Sequence, residues 1–110
     1  MDLRLKGKKA IVTGGSEGIG KAITLSLASE GVDVAICARR EEPLKATAKE
    51  IAEVTGQNIV PITADLTDTE QANSFIANAI DALGEVDILV NNAGITHLPA
   101  PMETIEEEEF

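Results

Sequence analysis

Two rhythms of apolar and polar positions alternate along the chain. Lys9–Thr13 is a short apolar run bounded by glycines, which suits a buried strand. Ile19, Ala22, Ile23 and Leu27 then recur at helical spacing and stop near Gly31, a residue type that often lies just past a helix end. Residues 32–38 form a second apolar run. Pro43 follows near a helix start, and Leu44, Ala48, Ile51 and Ala52 share one face before Gly56. Residues 58–63 are strand-like around Pro61. Residues 67–70 fit a capping box, after which Ala72, Phe75, Ile76, Ala79, Ile80 and Leu83 step by threes and fours to Gly84 and predict a third helix. Residues 86–90 predict a fourth strand that runs into Asn91-Asn92-Ala93-Gly94. Residues 104–107 read as another capping box and predict the start of a fourth helix.

Strands alternating with helices of this length imply parallel strands, right-handed crossovers and helices on both faces. Pro61 has no N–H for a ladder, which confines its strand to a sheet edge and leads to the order 3-2-1-4. The expected fold is therefore α/β, the N-terminal half of a Rossmann-type doubly wound parallel sheet, with residues 1–110 as one portion of a single domain. In that order the fourth strand has a bare apolar edge, a feature natural domains avoid. The expectation that follows is a truncated sheet.

Composition narrows the function classes. At 110 residues, 44% hydrophobic and 25% charged, the chain can form one small core and does not read as disordered. A net charge of −10 repels phosphate backbones, and two Phe with no Trp or Tyr leave little for bases to stack on, so nucleic acid is not an expected partner. The charge is unevenly spread. Residues 1–49 carry all the Lys and Arg and net +3, whereas residues 50–110 carry no base and net −13. A polyanionic ligand is thus expected on the first half.

Cys37, the single cysteine, permits no intrachain disulfide and suits a reducing compartment; in mid-strand it is expected to behave as a core hydrophobe of low reactivity. The N-terminus does not read as a secretory signal, and no stretch approaches the roughly 20 apolar residues of a membrane span. A cytoplasmic protein without a membrane partner is expected. No His, Cys and acid cluster has metal-ligand spacing, and the lone His97 reads as an exposed loop residue.

The glycines from Gly14 to Gly20 lie at the first strand-to-helix junction, where backbone N–H groups and the helix dipole favour an anion. Glycine there allows backbone conformations barred to other residues and lets a phosphate approach the main chain. Gly15-x-x-x-x-Gly20-Lys21 also matches the start of a nucleotide-hydrolase phosphate loop. Ala22, however, stands where that loop needs a hydroxyl for magnesium.

The spacing Gly14-x-x-x-Gly18-x-Gly20, with Asp65-Leu66 after the third strand and Asn91-Asn92-Ala93-Gly94 after the fourth, resembles the short-chain dehydrogenase/reductase family over about residues 5–110. The resemblance implies that Gly14, Ser16, Gly18, Ile19 and Gly20 hold a dinucleotide's diphosphate and adenosine ribose. It implies that Asp65 accepts from the adenine amino group, with Leu66 beside the ring. Asn92, Ala93 and Gly94 would bring backbone to the ribose, and the asparagines would tie neighbouring strands together.

An acid after the second strand marks NAD preference. Here Arg39 and Arg40 stand there, able to grip a 2′-phosphate, so NADP fits better than NAD. In the family an Arg at the position of Arg39 carries that preference. Glu17 departs from the pattern, since NADP-preferring members often carry a base there. Family catalysis uses a Tyr, a Lys four residues later and a Ser, all beyond the Asn-Asn-Ala-Gly motif. This chain has no Tyr and no Lys after Lys49. No catalytic residue is assigned, and the chain alone is expected to be inactive.

The resemblance thus implies the NADP(H)-binding segment of an oxidoreductase that interconverts a small-molecule carbonyl and alcohol, with 3-oxoacyl reduction one frequent form and a homo-oligomeric parent. A non-catalytic nucleotide-binding module or sensor is the alternative, and a phosphate-loop hydrolase stands behind it.

Overall fold

A computed structural model describes residues 5–14 and 18–91, and the backbone of residues 104–106. Its elements are β1 (Lys9–Thr13), α1 (Gly18–Ser29), β2 (Asp33–Ala38), α2 (Glu41–Thr55), β3 (Ile59–Thr63), α3 (Thr69–Leu83), β4 (Ile88–Asn91) and β5 (Thr104–Glu106). They build one parallel sheet in the order β3-β2-β1-β4-β5. Pro61 lies on the edge strand, as its missing donor requires.

Successive strand residues point to opposite faces, and the core divides accordingly. Ala10 and Val12 of β1 and Val34 and Ile36 of β2 pack with Ala28 of α1 and with Leu44, Ala48 and Ile51 of α2. Ile11, Ala35, Cys37 and Leu89 face the other way, onto Phe75, Ile76, Ala79 and Leu83 of α3. Helices on both sides explain why β1 and β2 read as continuous apolar runs rather than alternating ones.

Three local expectations are corrected. In α1 the inner face is Gly20, Ile23, Thr24, Leu27 and Ala28, while Ile19 and Ala22 are exposed. Thr24 is tolerated there because its Oγ1 donates to Gly20 O at 2.8 Å. The cap of α3 lies one residue later than expected. Asp68, not Thr67, is the N-cap, its side chain accepting from the Glu70 and Gln71 N–H groups, while Thr67 turns back to Asp65. Residues 104–106 form β5, not a helix start. The Leu89, Val90 and Asn91 edge offers a full ladder, and β-branched Thr104 and Ile105 suit it, so strand pairing prevails over a local capping signal. The β4 edge expected to be bare is therefore paired, and β5 extends the expected order 3-2-1-4 by one strand.

A polar clamp joins the amino ends of four strands. Lys9 Nζ donates to Asp33 Oδ2 at 2.7 Å, and Gln57 Nε2 and Asn58 N donate to Asp33 Oδ1 at 2.9 and 3.0 Å. Lys9 N donates to Asp87 Oδ2 at 2.9 Å, and Asp87 N returns a bond to Lys9 O. This clamp fixes the register that aligns the opposite, carboxyl ends.

Candidate functional site at the carboxyl edge of the sheet

Thr13 pairs with Cys37, Ala38 with Thr63, and Val12 with Val90, so the residues that follow the strands emerge along one edge. Gly14 N donates to Cys37 O at 2.7 Å, and Ala64 N donates to Ala38 O at 3.0 Å. These bonds carry the ladder one residue past β1 and β3. They bring Gly14, Arg39 and Asp65 to adjacent loop entrances. Ligands of open parallel sheets bind in this crevice, and here it includes the point between β1 and β4 where the strand order reverses.

The glycine turn leaves β1 with Gly14 at φ 67° and re-enters helix at Gly18 with φ 62°, both left-handed conformations that side chains disfavour. A Cβ at Gly18 would meet nothing within 4 Å, so its requirement is conformational and the space above it is open. Gly20 is buried, on the same face of α1 as Thr24 and Ala28. Ile19, more than half exposed, stands at the helix entrance. No acid occupies the first turn of α1, so the positive end of its dipole is not offset from within the helix.

Arg39 and Arg40 are exposed between β2 and α2, and neither makes an ion pair among the described residues. Arg40 is the N-cap of α2 without a side-chain cap bond. Across the edge, Asp65 is half-buried, and its Oδ1 accepts from Thr67 Oγ1 at 2.6 Å and Thr67 N at 3.0 Å. These bonds, with the Arg39 charge as a smaller cause, hold its carboxyl below the usual range and therefore ionised. Leu66 is half-buried against the α3 side of the core.

On β4, Asn91 Oδ1 accepts from Thr13 Oγ1 at 3.2 Å, tying β4 to β1 as expected of an asparagine there. Ser16, Glu17, Asn92, Ala93, Gly94 and His97 lie outside the described residues. Cys37 is buried in the α3-facing core, and burial pushes its thiol up to about 12. It is a packing residue, as its mid-strand position predicts. No group of three or more His, Cys, Asp or Glu positioned to hold a metal occurs among the described residues. No helix among them is long and apolar enough to cross a membrane.

Sequence reasoning missed the second layer of this edge. Thr67 and Gln71 fix Asp65 from both sides, Gln71 Oε1 accepting from Asp65 N at 2.8 Å. The Asp-x-Thr spacing is a legible signal for such a turn, hidden because Thr67 also fitted a cap.

The donor set suits a phosphorylated, adenine-bearing ligand. It combines an open helix N-terminus at a left-handed glycine, exposed guanidinium groups and an ionised acceptor beside an apolar side chain. The family profile described as short chain dehydrogenase matches residues 8–110. Glucose 1-dehydrogenase of Gluconobacter oxydans is 39% identical over 107 residues, covering 97% of this chain and 40% of that protein. L-rhamnose 1-dehydrogenase (NAD(P)+) of Sphingomonas is 38% identical, with 93% and 42% covered. Among solved structures, L-sorbose reductase of Gluconobacter frateurii, in complex with NADPH and L-sorbose, superposes with a TM-score of 0.83 at 33% identity, covering 99% of this chain and 41% of that one. An NAD+-bound xylitol dehydrogenase gives 0.79 at 30% identity, with 84% and 35% covered. The chain thus spans about 40% of the length of these curated relatives.

Proposed function

This chain belongs to the short-chain dehydrogenase family, and from that membership we propose that it holds the adenosine-diphosphate portion of NADP(H) for an oxidoreduction between a carbonyl and an alcohol. The observation that carries the proposal is the convergence of Gly14, Gly18, Arg39 and Asp65 on one sheet edge. In this reading Gly14, Ser16, Gly18, Ile19 and Gly20 receive the diphosphate and adjoining ribose, and the dipole of α1 stabilises the negative charge. Asp65 accepts from the adenine amino group, Leu66 lies beside the ring, and Asn92, Ala93 and Gly94 bring backbone to the ribose.

Arg39, supported by Arg40, takes the 2′-phosphate. No carboxylate follows β2 directly to oppose it, which favours NADP over NAD. The solved relatives include both an NADPH complex and an NAD+ complex, so the preference rests on Arg39 itself. When bound, the cofactor supplies or accepts a hydride. The proton transfer that family chemistry gives to a Tyr, with its Lys and Ser, has no such Tyr among these 110 residues. The chain's part is accordingly to bind and orient, and no turnover is expected from it alone. The relatives' names span sugars, a polyol, a diol, glycine betaine and hydroxysteroids, so they support a small-molecule substrate without selecting its class. A cytoplasmic setting suits the single buried thiol.

Calorimetric titration with NADPH, NADH and ATP-magnesium tests the reading. NADPH is expected to bind most tightly and ATP-magnesium least. Tighter binding of ATP-magnesium would favour a hydrolase loop, which the missing hydroxyl at Ala22 argues against.

A further inference from the structure

The chain passes from β2 into α2 through Arg39-Arg40-Glu41-Glu42, two guanidinium groups followed at once by two carboxylates. All four residues are exposed, so burial does not keep the acids from the arginines. Yet neither arginine has an acidic partner among the described residues. Glu41 Oε2 is taken instead by Lys45 Nζ, one turn further along α2, at 2.6 Å. That bond and the Lys45 charge together hold the Glu41 carboxyl below its usual range, and so ionised. Arg39 acts in the other direction, across the sheet edge, where its charge helps to keep Asp65 ionised.

The two acids have a local reason to be there. Arg40, the N-cap of α2, makes no side-chain cap bond, so the helix starts without the usual acceptor. Glu41 and Glu42 in its first turn offset the positive end of the dipole instead. A carboxylate bonded to a guanidinium, however, occupies the donors that a phosphate would use. Helix stability and anion binding therefore make opposite demands of Glu41.

Resting on the NADP(H) reading above, we propose that Lys45 is a positioning residue for the 2′-phosphate: by engaging Glu41 it keeps that carboxylate off the guanidinium groups of Arg39 and Arg40. Lys45 acts through Glu41 and touches no phosphate itself. An exposed pair of this kind is worth little to the fold, and what it secures is two uncommitted arginines. NADH carries no 2′-phosphate, so its binding is indifferent to the pair. Glu42 supplies the comparison. It has Ala46, not a lysine, four residues on, lies about 100° further round the helix, and makes no ion pair among the described residues.

Calorimetric titrations of the chain and its variants with NADPH and with NADH, with melting midpoints recorded in parallel, test the proposal. Lys45→Gln is expected to weaken NADPH about threefold and to leave NADH unchanged, the scale of one surface ion pair between Glu41 and a guanidinium that the phosphate must displace. In a Glu41→Gln background the same substitution should change neither cofactor. In a Glu42→Gln background, which alters net charge equally, the threefold loss should persist. Lys45→Arg should keep the unaltered preference. Lys45 and Glu41 are both exposed, so none of these variants is expected to unfold the chain. Positioning through Glu41 is overturned if Lys45→Gln costs nothing, costs the same with and without Glu41, or weakens both cofactors alike as loss of a brace for α2 would. Under any of these results the cofactor reading stands. An unaltered chain that binds NADPH no better than NADH removes the reading and the proposal together.

Discussion

At the scale of single residues, the account turns on charges that the fold leaves uncommitted. Arg39 is exposed and without an ion pair among the described residues, close enough to Asp65 to help hold that acid ionised. Arg39→Ala is expected to weaken NADPH binding about tenfold while changing NADH little, as removal of one solvent-exposed charge-assisted contact should. Equal losses for both cofactors, measured by calorimetry, would mean that Arg39 does not read the 2′-phosphate. Cys37 is the opposite case. Burial raises its thiol to about 12, so it stays protonated at neutral pH and is shielded by α3. Maleimide labelling followed by mass spectrometry should show no modification of the folded chain at pH 8 and full modification in denaturant.

At the scale of elements, the sheet is fixed at its amino end and used at its carboxyl end. Burial alone would raise the Asp33 carboxyl, but bonds from Lys9, the Asn58 N–H and Gln57 outweigh it and hold the group below its ordinary 3.8. A depressed acid contributes stability that is complete above its unfolded value and lost as pH falls through its folded one. Chemical denaturation should therefore show stability declining below about pH 4, and Asp33→Asn should flatten that decline. An unchanged acid limb in the variant would remove Asp33 from the account.

The capping of α3 is a separate device. Asp68→Ala is expected to cost about 1 kcal/mol and to leave the Asp65 turn in place, since Thr67 and not Asp68 engages the Asp65 carboxylate. Capping boxes were legible in the sequence but not their outcome. The one at Thr67 and Asp68 shifts by a residue because Thr67 has a stronger local acceptor in Asp65. The one at residues 104–107 yields a strand because the β4 edge is a tertiary partner invisible to local pattern.

At the scale of the whole molecule, topology followed from very few residues. Pro61 puts β3 at an edge, and helices of 12 and 15 residues between short apolar runs allow little besides parallel crossovers. What stayed hidden is long-range. The inner face of α1 takes in buried Gly20 and Thr24, which no apolar periodicity marks, and the Lys9, Asp33, Gln57 and Asp87 clamp joins residues up to 78 apart. The candidate ligands were visible as motifs because each follows a strand end, and parallel strands gather their ends. A second concavity, lined by Leu5, Leu25, Leu27 and Glu30, lies toward the other end of α1 from Gly18 and serves as an internal control.

The most direct test of the central claim is an amide chemical-shift titration of the chain with NADPH. The account predicts shifts concentrated at Gly14, Gly18, Ile19, Gly20, Arg39, Asp65 and Leu66, with the residues around Leu5 and Leu25 unmoved. Shifts confined to the Leu5 and Leu25 cleft, or none at the glycine turn at saturating NADPH, would contradict it.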